Sequence, residues 1–131
     1  MEFVYAKATE KSPEGAIAAL EAALSERKFS VLWHLDMSGT LAGKGFPGHG
    51  ETHILEVCNA ARADEALRAV PDIAYVLPCK MLVRSRGAGS EVGLLLPSAL
   101  ITMAGEAGRE LRTFADEVEE DLRAVVDDAT R

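Results

Sequence analysis

The side chains in this sequence best suited to chemistry are two thiols and the groups beside them. Cys58 is followed by Asn59, and Cys79 lies between Pro78 and Lys80. Cys58-Asn59 falls where a strand should end and a helix begin, a place that gathers free backbone N–H groups. With the Asn59 amide and a thiol, these suit a small anionic or carbonyl-containing ligand. A Lys80 ammonium close to either sulfur would lower the thiol pKa and favour the nucleophilic thiolate. Cysteine also serves as a small buried hydrophobe, which is its commoner use. The expected ligand-binding residues are therefore Cys58, Asn59, Cys79 and Lys80, with no catalytic residue assigned. A thiol-dependent enzyme or redox sensor using Cys58 and Cys79 is the rival expectation.

Other constellations are weaker. Gly39-Thr40-Leu41-Ala42-Gly43-Lys44-Gly45 has the outline of a phosphate-binding loop, yet three residues separate the glycines where such a loop needs four. Gly45 stands where a magnesium-binding hydroxyl is needed, and Pro47, Gly48 and Gly50 oppose a helix start. His49 and His53 have the spacing of half a zinc site without a cysteine pair to complete it. On a strand, His53 and Cys58 point to opposite faces. No metal site and no cofactor is expected. Neither a Ser-His-Asp order nor a dinucleotide fingerprint is present.

The elements that must position these groups follow from hydrophobic period and punctuation. Glu2 to Thr9 alternates as a first strand, and Ser12-Pro13-Glu14 supplies an N-cap, a first-turn proline and an acid for a helix ending near Lys28. Phe29 to Met37 reads as a second strand with Phe29, Val31, Trp33, Leu35 and Met37 on one face. The glycines between Gly39 and Gly50 predict a mobile loop. A third strand over Thr52 to Cys58 leads into a short helix from about Ala63 to Val70, closed by Pro71. Ile73 to Arg86 and Glu91 to Leu96 form a hairpin, with Pro78 placing the first of these at an edge or a bulge. Pro97-Ser98 opens a short helix to about Met103, and a long one runs from about Arg109 to the end. The order β-α-β-β-α-β-β-α-α predicts an α+β two-layer sandwich, a five-stranded mixed sheet packed by helices.

At 131 residues, 48% hydrophobic and 27% charged, the chain fits one domain over 1–131 with a core large enough to need no disulfide. A net charge of -7 argues against nucleic acid as a partner. No apolar run reaches the length needed to span a bilayer, so no membrane partner is expected. The first ten residues lack a signal pattern, and a cytoplasmic protein is expected. The apolar stripe of the last helix, beside Asp116, Glu117, Glu119, Glu120 and Asp121, is long enough to leave a portion for a second copy, which predicts a homodimer.

Cys58-Asn59 at a strand end, Pro71-Asp72-Ile73-Ala74 after a short helix, and Leu77-Pro78-Cys79 leading a hairpin, with Ser12-Pro13-Glu14 ahead of them, form a recognisable series. In this the chain resembles the domain of unknown function 302 family of bacteria and archaea, over nearly its whole length. The resemblance implies a small, dimeric α+β domain without an assigned biochemical role. It places Cys58, Asn59, Pro78 and Cys79 in whatever site the family shares. The chain departs from the family pattern at Ala60, where proline follows Cys-Asn, and in the glycine content of Gly39 to Gly50. The expected function is a non-catalytic module, acting as a homodimer, that binds a small molecule or a protein.

Overall fold

The computed structural model describes residues 2–131. Strand β1 (Val4–Thr9) leads to helix α1 (Pro13–Glu26), whose first turn is closed by Ser12 Oγ accepting the Gly15 N–H at 3.1 Å. Lys28 takes a left-handed backbone, φ 64, and turns the chain into β2 (Ser30–Asp36). Helix α2 (Met37–Gly43) follows at once, where a mobile loop is expected from the glycines. It forms because Asp36 is an N-cap, accepting the Gly39 N–H at 2.9 Å, which offsets the poor helix propensity of Gly39 and Gly43. Of the glycine-rich stretch, the part from Lys44 to Glu51 is irregular.

Strand β3 (Thr52–Cys58) has the expected bounds. Helix α3 (Ala60–Ala69) starts earlier than expected because Asn59 caps it, its side-chain oxygen accepting the Arg62 N–H at 3.2 Å. Pro71 then opens a 3-10 turn (Pro71–Tyr75), and β4 (Cys79–Arg86) begins well after Ile73. Pro78, joined to Leu77 by a cis bond, precedes the strand and so marks neither an edge nor a bulge within it. Gly87 at φ 58 makes the turn into β5 (Gly89–Leu95). Helices α4 (Pro97–Met103), α5 (Glu106–Glu110) and α6 (Arg112–Ala129) complete the chain.

The sheet order is β1-β5-β4-β3-β2, and every neighbouring pair is antiparallel. The expected mixed sheet is therefore corrected to an antiparallel one, within the expected α+β class. β1 and β2 do run the same way, as a strand-helix-strand unit suggests, but they occupy opposite edges with three strands between them.

The ladder of β2 against β3 skips a residue between Val31 and Trp33. Leu32 is the extra residue of a β-bulge on an edge strand, and the bulge reverses the alternation beyond it. Val31 pairs with buried Val57, whereas Trp33 pairs with Glu56 on the far face, and His34 pairs with buried Leu55. The single apolar face expected over Phe29 to Met37 is thus split: Phe29 and Val31 join the core, while Trp33 is 53% exposed on the other side.

One face of the sheet carries the core. Leu55, Val57, Met81, Val83, Val92 and Leu94 meet Leu20 and Leu24 of α1 and Val118, Leu122, Val125 and Val126 of α6. Each buried aliphatic side chain of this kind contributes about 1.5–3 kcal/mol relative to exposure. A second cluster of Ala66, Ile73, Ile101, Leu111 and Ala115 joins α3 through α6, and Phe114 touches both. The stripe of α6 is consumed by this packing, with Ala115, Val118, Leu122, Val125, Val126 and Ala129 buried within the chain itself, so the surplus expected for a second copy is not there. Among the described residues no helix is long and apolar enough to cross a membrane.

Candidate functional site

Three of the four residues expected to bind a ligand meet at one end of the sheet. Cys58, Asn59 and Cys79 line a recess with Phe29, Val57 and Phe114. Its volume is only about 10 Å³, at the bottom of what a single water requires. Asn59 spends its oxygen on the helix cap, and Arg62 is held by Glu117 at 2.6 Å and Asp121 at 3.6 Å. Lys80 is not part of this group. It is next to Cys79 along a strand and so points to the opposite face, where its ammonium lies 3.0 Å from Glu56 Oε1.

The thiols respond accordingly. Burial, with Cys58 and Glu56 nearby, pushes the Cys79 thiol up to about 12, and burial raises Cys58 as well. Both shifts favour the neutral thiol, the reverse of what a Lys80 neighbour would have done.

The opposite face of the sheet has no helical cover. Phe3, Val4, Ala6, Leu82, Gly93 and Leu95 line an apolar hollow of about 450 Å³ across β1, β5 and β4, with Lys80 and Arg84 on its border. Trp33 and Leu35 continue this face on β2, and Ile54 on β3. Its charges are mutually paired: Lys80 with Glu56, and Arg84 and Arg86 with Glu91 at 2.8 and 3.0 Å. Next to these arginines, Glu51, Thr52 and Ser85 line a more polar cleft of about 470 Å³.

A polar cluster whose pairing the sequence does not reveal lies on the helix-covered face. His34 Nε2 and His53 Nδ1 are 2.9 Å apart, and His53 Nε2 is 3.0 Å from Glu51 Oε2. Asp36 is the ladder partner of His53. Its carboxyl is held below the usual range by the Gly39 N–H and the Ser38 hydroxyl. The spacing of His49 and His53 drew attention to the wrong pair, since His49 lies in the irregular stretch and the partner of His53 is on the next strand. The register of β2 against β3 was the missing signal, and the bulge hid it. Among the described residues no three His, Cys, Asp or Glu side chains group as ligands of one ion.

A bare antiparallel sheet backed by helices, with the Cys79 thiol buried between them, defines an α+β domain whose free surface is a sheet face. The profile of the family described as "Domain of unknown function DUF302" matches residues 5–129, and the chain belongs to that family. It is similar to the crystal structure of an uncharacterized conserved DUF302 protein from Bacillus stearothermophilus, with TM-score 0.93, 29% identity, and 100% of each chain covered. No curated protein matches the chain.

Proposed function

We propose that this chain is a non-catalytic binding module that acts as a homodimer, two copies meeting through the uncovered sheet face. The observation that carries the reading is the apolar surface there: Phe3 at 59% and Val4 at 45% exposure at the hollow that Leu82 and Leu95 help line, and Trp33 at 53% on the other edge strand of the same face. Contiguous apolar surface of this kind on a soluble domain marks an interaction site. Five strands about 4.8 Å apart, each about 20 Å long, project to about 500 Å². With the relief of the side chains, this approaches the roughly 800 Å² that each partner buries in a stable interface.

Charge favours a second copy as the occupant. Lys80, Arg84 and Arg86 face Glu56 and Glu91 on this surface, whereas the whole chain carries -7. The excess acid lies elsewhere and the face is close to neutral, so two such faces meet with little repulsion, and sheet-on-sheet packing is a standard way to bury them. The tight recess and raised thiols at Cys58 and Cys79 support a module without thiol catalysis.

Sedimentation equilibrium tests the reading. The chain, 14.0 kDa alone, should sediment at twice that mass, and Trp33→Lys or Leu82→Lys should give monomers with unchanged circular dichroism. A monomeric parent protein, or a dimer indifferent to both substitutions, would refute it.

A further inference from the structure

We propose that His34 and His53 form a binding site for one late first-row transition-metal ion of the Zn²⁺ or Cu²⁺ class, its remaining positions open to water or an exogenous ligand. The two rings come from neighbouring strands, with centroids 5.0 Å apart and planes tilted by 55°. Nε2 of His34 and Nδ1 of His53 face each other at 2.9 Å. Both belong to the helix-covered side of the sheet, so the site does not depend on the dimer contact.

The protonation pattern suits a metal. Glu51 Oε2 lies 3.0 Å from His53 Nε2 and can accept its proton, and in the neutral ring that arrangement leaves a lone pair on Nδ1 facing His34. A carboxylate on the far nitrogen is the partner that orients metal-bound imidazoles and raises their basicity. With both rings neutral and His53 protonated on Nε2, His34 Nε2–H is the donor to that lone pair. Moving the His34 proton to its own Nδ1 exposes a second lone pair without any change in net charge, so neutral imidazoles can accept the ion.

Tetrahedral coordination at about 2.0–2.1 Å sets two nitrogens about 3.3 Å apart with both lone pairs converging on the ion, so the His34 ring must swing off the present nitrogen–nitrogen line, by about 2 Å at Nε2. The exposed His34 ring can supply that rotation while His53, 9% exposed, stays fixed in the sheet. Asp36 stands opposite His53 in the ladder and adds an acidic side chain next to the pair. Two imidazole nitrogens select zinc, copper or nickel over magnesium and calcium, which prefer oxygen.

Titration of the chain with Zn²⁺, under a phosphine reductant, can be followed through the ring ¹⁵N resonances of its three histidines. One ion per chain should move His34 Nε2 and His53 Nδ1 together and leave His49 in place. His34→Gln, at an exposed position, should keep the fold and abolish the shift at His53, and Glu51→Gln should weaken binding roughly 10-fold. Unmoved His34 and His53 resonances at millimolar Zn²⁺, or undiminished affinity in His34→Gln, would overturn the proposal.

Discussion

Tyr5 Oη donates a 2.6 Å hydrogen bond to Asp127 Oδ1, which fastens the first strand to the last helix. Lys7 Nζ lies 2.8 Å from the same oxygen, and the Arg123 guanidinium sits 4.7 Å from the centre of the Tyr5 ring. Lys7 and then Tyr5 hold the Asp127 carboxyl below its ordinary value of 3.8. A carboxylate with a depressed folded pKa adds stability above its unfolded pKa, and that stability is lost as pH falls through the folded value. Urea unfolding should therefore show stability declining below about pH 4. Asp127→Asn should be less stable at neutral pH, with a shallower acid slope. Asp36 and Glu119 are depressed too, so the slope is reduced rather than removed. Identical slopes in both proteins would exclude this contribution.

The cysteines should behave oppositely in alkali. With Cys79 raised from 9.0 to about 12, the unfolded chain releases that proton first, so stability falls as pH rises through this interval. Timed alkylation near pH 8, read by mass spectrometry, should modify Cys58 ahead of Cys79 by roughly tenfold or more. Equal rates at the two thiols would contradict the burial that raises Cys79.

What the sequence made legible was local. Ser12-Pro13-Glu14 starts α1 as its chemistry dictates, Thr52 to Cys58 is a strand, and Pro97-Ser98 opens α4. The failures share a nonlocal cause. Trp33 looked like core because alternation was carried straight through Leu32, and only pairing with β3 reveals the bulge. Helix α2 is hidden by its glycines, because Asp36 is both the last residue of β2 and the cap of the helix, and alternation through Met37 shows only the strand. Cys58, Asn59 and Cys79 meet at one recess, a closeness that only the family resemblance implies, while the alternation of β4 sends Lys80 away. The His34–His53 pair depends on register and could not be found by spacing within one segment.

Glu119 acts as a cap supplied from another element. Leu96, at the N-cap of α4, has no side-chain acceptor, and Glu119 Oε1 of α6 takes the Ser98 N–H at 3.0 Å instead. Partial burial works against the Glu119 charge, but Ser98 and Arg123 outweigh it and leave the pKa lowered. Glu119→Ala should cost about 1 kcal/mol in urea unfolding, and Glu119→Gln, which keeps a carbonyl acceptor, clearly less. Equal losses would mean that charge pairing with Arg123, rather than the cap, is the source.

The bulge at Leu32 yields a prediction that runs against the usual effect of shortening a strand. Val31 opposite Val57 and Trp33 opposite Glu56 are consecutive rungs once the extra residue is ignored. Deleting Leu32 therefore leaves a regular ladder with Trp33 still on the uncovered face and His34 still on the core side. Leu32 is 61% exposed, so its own packing is small, and the deletion should cost no more than about 1–2 kcal/mol. Deleting Ile54 from β3 is different. That strand has no spare residue, and closing the gap turns either His53 or the buried Leu55 to the wrong face. Unfolding midpoints and a cross-relaxation signal between the His34 and His53 rings distinguish the outcomes. The Leu32 deletion should keep the signal and fold, while the Ile54 deletion should lose both. Loss of the ring contact in the Leu32 deletion would show that the bulge itself positions His34.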